Sequence, residues 1–234
     1  MFTVFYTILG ACLASFVTCY AQRRQLGLSQ WGRSHCMSCK TPIAPPYLIP
    51  IIGYFLAQGH CKTCHAPIPK AFPGLELLGA VVGLLLSYQA IHVFEPLLQL
   101  LIGALLLLMS LDDQETQWIH DRDLWCYGLL VLIDGCCFNT LFWSERLIGL
   151  FLVAFPLALI RWRFPQSLGS GDILFMAISG FYLGMVDVSY AFLIGIFTAL
   201  AYGIVLLVLK KATKKTAIPL IPFLSIGVLS LMIL

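Results

Sequence analysis

Eight helices crossing a membrane, with one long polar loop between the first two, are what this chain leads one to expect. Hydrophobic residues make up 60% of its 234 positions and charged residues only 11%, against about a quarter charged in soluble domains. Apolar runs recur along almost the whole length, though several are shorter than the ~20 residues that a spanning helix needs. Lys and Arg collect in alternate loops. A β-barrel is excluded, because barrel strands are short and alternate apolar with polar residues.

The apolar segments are Phe2–Ala21, Pro73–His92, Pro96–Leu111, Leu124–Phe138, Leu147–Ile160, Ile173–Met185, Ser189–Leu209 and Ile218–Leu234. The first lacks a basic leading region and runs into Arg23-Arg24, which marks a retained anchor rather than a cleaved signal. The last carries Pro219 and Pro222 and could instead lie at the interface. With eight spans, thirteen of the fourteen Lys and Arg residues fall in loops on one side, and only Arg146 on the other. That side is expected to be cytoplasmic. The net charge of +3 is thus a topology signal, with no reason to expect a nucleic-acid partner. The expected organisation is a first transmembrane helix at 1–21, a cytoplasmic loop at 22–72 and a membrane core at 73–234.

The loop holds Cys36-Met37-Ser38-Cys39 and Cys61-Lys62-Thr63-Cys64. Two Cys-x-x-Cys pairs at that separation can close one four-thiolate site, the usual geometry of structural zinc. On the cytoplasmic side disulfides rarely persist, which favours metal over disulfide. A loop of about fifty residues with little core also needs such a staple. His35, His60 and His65 flank the pairs and could substitute as ligands. The alternative chemistry is thiol exchange, for a membrane thiol-disulfide oxidoreductase. It would place the pairs on the outer side or require a soluble partner. Cys12, Cys19, Cys126, Cys136 and Cys137 lie in apolar segments and read as small buried hydrophobes.

Five of the eleven acidic residues crowd into twelve positions: Asp112, Asp113, Glu115, Asp121 and Asp123. Asp172 stands in Gly169-Ser170-Gly171-Asp172, at the mouth of the sixth apolar segment. An ionisable group at a span boundary is a functional candidate. The glycines allow a sharp turn into the helix, and Ser170 can cap it. Both acidic features fall at the cytoplasmic edge. Two aspartates brought together cannot both ionise cheaply, so they share a proton. One can then activate water while the other polarises a carbonyl. A transporter carrying ions on the same two aspartates would instead place them near mid-span, within an internal repeat.

These residues resemble the bacterial type IV prepilin peptidases, membrane aspartyl proteases of the Gly-x-Gly-Asp type that also N-methylate the mature pilin. The likeness runs through Gly10-Ala11-Cys12-Leu13-Ala14-Ser15-Phe16, Ser34-His35-Cys36, Leu48-Ile49-Pro50-Ile51-Ile52-Gly53-Tyr54 and Gly59-His60-Cys61. It continues through Pro67-Ile68, Phe72-Pro73-Gly74-Leu75-Glu76, the stretch from Asp113 to Asp121, and Gly169 to Asp172. The resemblance implies a catalytic dyad of Asp113 and Asp172, supported by Asp121, Gly169 and Gly171. It implies zinc on Cys36, Cys39, Cys61 and Cys64, and S-adenosylmethionine as methyl donor. Gly59, His60 and Glu76 are the residues to associate with methyl transfer. The implied substrate is a prepilin or pseudopilin with a short basic leader, cut after a glycine at the cytoplasmic face of the bacterial plasma membrane, so that membrane lipid is the remaining partner. The chain departs from the pattern at His120, where the family has Pro, at Leu174, where it has Lys, and at His60, where it has Lys or Arg.

Overall fold

A computed structural model describes residues 2–138, 140–165, 168–211 and 217–234. Lys214 and Lys215, counted above in a basic loop, lie outside the described residues. The described chain is helical and holds no strand among its elements. It divides into two compact units, Met1–Leu100 and Leu101–Leu234.

The first unit is built on α1 (Phe2–Gln25) and α3 (Ala71–Gln89). Between them come a single 3-10 turn, Pro45–Leu48, and the short α2 (Ile52–Leu56). Small residues set the packing of α1 on α3. A Cβ added at Gly10 would stand 2.1 Å from the carbonyl oxygen of Gly79, and one at Gly79 only 2.4 Å from that of Gly10. Membrane helices associate through such close backbone approach, because lipid supplies no hydrophobic drive between them.

α4 (Glu95–Thr116) carries the chain into the second unit, followed by α5 (Asp121–Cys137), α6 (Trp143–Arg163), α7 (Ser170–Val208) and α8 (Ile221–Ile233). Their shared core includes Ile102, Met109, Tyr127, Phe175, Met176, Val188, Ile221 and Leu224, all buried. Inside it the Tyr127 hydroxyl and Ser179 Oγ pair at 2.9 Å, which satisfies two polar groups that lipid could not. α6 meets α7 where Gly149 faces Gly180.

A straight α7 of 39 residues would be about 58 Å long, twice the hydrocarbon thickness of roughly 30 Å. It breaks at Gly184, which adopts φ 79 and ψ −176. Contacts show that the chain reverses there. Its start lies within charge range of Asp113, whose carboxylate also holds the amide of Ile221 at the start of α8. Its second half then runs antiparallel to α8, with Ala191 against Gly227, Gly195 against Leu224 and Gly203 against Ile218. Both ends of α7 therefore lie at the Asp113 end of the unit.

Among the described residues, five helices (α1, α3, α4, α6 and α7) are long and apolar enough to cross a membrane. The eight apolar segments fall on seven helices, because Ile173–Met185 and Ser189–Leu209 share α7. α8, which its prolines left open to an interfacial placement, is instead packed inside: Ile221, Leu224 and Val228 are wholly buried. The scattered cysteines require a correction. Cys12, Cys126, Cys136 and Cys137 are exposed and Cys19 partly so. In a membrane protein the outward face is apolar as well, so a small apolar residue in a span carries no information about which way it points.

Candidate active site and cysteine centre

In the second unit, Asp113 sits one turn before the C-terminus of α4 and is 6% exposed. Its Oδ2 accepts a hydrogen bond from the Ile221 amide at 3.0 Å. Asp172 occupies the first turn of α7, where its Oδ2 accepts from the Gly169 amide at 3.2 Å. Gly169, rather than Ser170, is the N-cap, and Ser170 is already helical. The two carboxylates lie within electrostatic range of each other, and the Arg161 guanidinium also acts on Asp172.

The turn joining α4 to α5 presses on this site. A Cβ on Gly171 would lie 2.8 Å from Ile119 Cδ1, so the glycine makes room for that side chain. Gln117, with φ 52, ends α4, and its side-chain amide donates to the Ala217 carbonyl at 3.2 Å. Asp121 opens α5 and is exposed. A polar cluster that the sequence did not single out lies beside it. Asp112 and Asp123, 2% and 3% exposed, bring their carboxylates together with the His120 ring, with all three ligand atoms within 4.8 Å of one another. His120 Nδ1 is 3.8 Å from Asp112 Oδ2, and Arg122 Nε is 3.3 Å from Asp123 Oδ1. The crowding of acids was visible in the sequence; which of them turn inward was not.

In the first unit, Cys36, Cys39, Cys61 and Cys64 bring their four sulfurs within 4.8 Å of one another. All are free thiols. Two knuckles of one design build the cluster. Cys36 N donates to Thr41 O and Lys40 N to Cys36 O; in the second knuckle Cys61 N donates to Ala66 O and His65 N to Cys61 O. Isolated bridges His35–Pro42 and His60–Pro67 close both, and Lys40 and His65 take matching positive φ of 60 and 57. The Sγ separations are 3.7 Å for Cys36–Cys64 and 3.9 Å for Cys39–Cys61. A tetrahedral ion with bonds of about 2.3 Å has sulfur–sulfur edges of roughly 3.8 Å. The donor set therefore fits a divalent metal such as zinc.

Ionisation in the cluster is divided. The Thr41 hydroxyl and amide favour the Cys39 thiolate and bring its pKa down to about 6. Amides of Cys64 and Thr63 lower that of Cys61. Cys64, despite the Ala66 amide, is pushed up to about 11 by burial and the neighbouring sulfurs. Four thiolates need a cation to coexist. The flanking histidines take no part among the described ligand atoms: His35 Nδ1 faces Arg33 O at 3.4 Å, and His60 Nδ1 faces Gln58 O at 2.7 Å.

Beside the cluster lies a cavity of about 370 Å³ lined by residues of α1, the loop and the start of α3, including Cys19, Tyr54, His60, Phe72 and Glu76. The Glu76 carboxylate ties three segments, accepting from Ser15 Oγ at 2.6 Å and from the Ile51 amide at 2.6 Å. Gly59, with φ 69, turns the chain out of the segment after α2, where a side chain would meet the Tyr54 hydroxyl.

These features define a multi-pass helical membrane protein with a four-cysteine centre and, separately, two aspartates in electrostatic range of each other. Residues 8–90 match the bacterial peptidase A24 N-terminal domain, and residues 100–204 match the type IV leader peptidase family. The chain belongs to the type IV leader peptidase family. Among its relatives is the prepilin leader peptidase/N-methyltransferase of Bacillus subtilis, 27% identical over 94% of this chain and 89% of the relative. The protein of the same name from Pseudomonas aeruginosa is 27% identical over 83% of this chain and 69% of its own. The type 4 prepilin-like proteins leader peptide-processing enzyme of Escherichia coli is 28% identical over 83% and 73% respectively. No solved structure matches the chain.

Proposed function

We propose that this protein is a membrane aspartyl endopeptidase that removes the leader from prepilins or pseudopilins and N-methylates the amino terminus so exposed. The observation that carries the peptidase reading is the approach of Asp113 and Asp172, from α4 and α7, into mutual charge range at one end of the second unit. Each is aimed by a backbone amide, Ile221 or Gly169, that cannot titrate or rotate away. The pair shares one proton. The ionised carboxylate takes a proton from water as the water oxygen attacks the scissile carbonyl, and the protonated one donates to the carbonyl oxygen. The tetrahedral species collapses when the carboxyl that took water's proton passes it to the amide nitrogen and the carbon–nitrogen bond breaks, while the other carboxylate recovers its proton from the tetrahedral hydroxyl. The leader leaves with a new carboxylate and the pilin with a new amine. Gly171 lets Ile119 pack close beside the start of α7 without displacing Asp172, and Asp121 has a supporting role from the adjoining turn.

Eight spans with the basic loops in the cytoplasm complete the reading, and they put the dyad at the cytoplasmic face of the plasma membrane. A leader meets its hydrophobic helix at that depth. Residues 22–72 serve methyl transfer and residues 73–234 form the peptidase core. Cys36, Cys39, Cys61 and Cys64 would hold a structural zinc, which supplies a fixed tetrahedral clip. The cavity beside them is the place for S-adenosylmethionine, which when bound offers an electrophilic methyl group. Its size falls in the range of small-molecule sites. Glu76 would orient the incoming amine, His60 would border the donor, and Gly59 would hold the turn that presents His60.

The deciding experiment is leader cleavage of a co-expressed prepilin at matched membrane abundance. Asp113→Asn and Asp172→Asn each abolish cleavage, while Asp121→Asn retains measurable activity. Cleavage by either of the first two variants rejects the dyad.

A further inference from the structure

The loop between α1 and α3 displays large apolar side chains that the first unit leaves uncovered. In α2, Gly53 and Ala57 are buried on one side. On the other stand Ile52, Phe55 and Leu56, which are 54%, 70% and 50% exposed. Residues three and four apart share a helix face, so these three form a ridge. A contiguous apolar ridge on a protein surface marks an interaction site.

Glu76 fixes the depth of this ridge. Its carboxylate holds Ser15 Oγ on α1 and the Ile51 amide, both at 2.6 Å. Ser15 precedes Arg23 by eight residues, which is about 12 Å along a helix. Glu76 lies five residues inside α3, about 7 Å from its start. Ile51 is therefore level with the interior of two spanning helices and below their loop-side ends. The neighbouring helix faces at that level are themselves outward and apolar: Phe16 is 66% exposed and Leu77 is 55% exposed. Ile51 reaches this position with φ 64, a conformation that is costly for a β-branched residue. Charge points the same way: residues 22–72 contain six Lys or Arg and no Asp or Glu.

We infer that α2 is an interfacial anchor. Ile52, Phe55 and Leu56 sit among lipid acyl chains at the membrane face, continuous with the lipid-facing sides of α1 and α3. Lys40 and Lys70 lie in the acid-free loop around it and favour anionic headgroups. The occupant of the ridge is the bilayer itself, because an apolar face set in a purely basic segment is what an anionic lipid surface binds. The cysteine knuckles and the cavity are thereby held against the membrane. This inference rests on the membrane reading of α1 and α3 alone, so it stands or falls separately from the peptidase activity.

The test uses the full chain in lipid nanodiscs, with the photoreactive p-benzoylphenylalanine in place of Phe55 or, separately, of Lys62. Discs of phosphatidylcholine, with and without phosphatidylglycerol, are irradiated and the adducts weighed by mass spectrometry. Lipid adducts at position 55 are expected in both compositions, about fivefold or more above those at position 62, since an inserted apolar face meets acyl chains whatever the headgroup. A third arm adds a prepilin. Crosslinking of position 55 to prepilin or to a second copy in place of lipid overturns the inference, as do equal yields at the two positions. Aqueous carbene footprinting of the unsubstituted protein reads the same surface: residues 52–56 are shielded in discs while Lys62 is labelled. Equal labelling of both rejects the anchor.

Discussion

One methyl group is enough to crowd the carboxylate pair. A Cβ at Gly171 would come within 2.8 Å of Ile119 Cδ1, and the atom it meets is the end of a side chain. Gly171→Ala should therefore fold but displace the α4–α5 turn from Asp172, lowering leader cleavage about 10- to 100-fold, the scale expected for a misplacement near 1 Å. Adding Ile119→Val removes the offending carbon and should restore most of the rate; no recovery would show that this contact is not the cause. The neighbouring acids separate in the same assay. Asp112 lies by His120 and Asp123, so Asp112→Asn should cost roughly tenfold or less, where loss of a dyad member removes all catalysis. A Lys or Arg can be assigned to a loop by counting, and the family resemblance, through its Asp-to-Asp spacing, is what favours Asp113 over Asp112. The inward turn of Asp123 beside an exposed Asp121 had no such signal, because two acids in one helical turn look alike until the packing against α4 is known.

Helices here are held by the absence of side chains as much as by their presence. Gly10 and Gly79 let α1 and α3 touch backbone to backbone. Gly79→Val should destabilise the first unit by about 1–3 kcal/mol, the usual cost of overpacking. Thermal unfolding in detergent, at constant zinc content, checks it; an unchanged midpoint would mean the helices part without cost. Glu76 binds the same pair to the loop. Glu76→Gln should leave leader cleavage within about threefold, because the second unit carries its own packed core, yet lower N-methylation by about tenfold or more if one charge-assisted bond is lost. Mass spectrometry of the processed pilin separates the two outcomes. The apolar segments were readable as helices because a spanning helix must be apolar over its length. The reversal at Gly184 was not, since no polar loop announces it and a single glycine suffices. Nor could the prolines near α8 tell a buried helix from an interfacial one.

The chain as a whole consists of two units with separate interiors, and the cysteine cluster belongs to one of them. Replacing Cys61 and Cys64 by Ser should remove the metal, as read by elemental analysis of the purified protein. Cleavage should persist within about tenfold, since the second unit keeps its core and only the first loses its staple. Unchanged metal content would refute the four-thiolate centre. Composition, charge partition and paired Cys-x-x-Cys motifs made the membrane class and the cysteine site legible, because each is written in local sequence. The meeting of Asp113 with Asp172 is not local, and no spacing rule encodes it. Nor is the hydrogen bond between Asp113 and the Ile221 amide, which spans 108 positions. That bond sets a schedule for biosynthesis. While α8 is still in the ribosome, Asp113 lacks the donor that aims it. On the proposed dyad, a chain whose α8 has not yet entered the membrane would hold Asp113 unaimed and leave prepilin uncut.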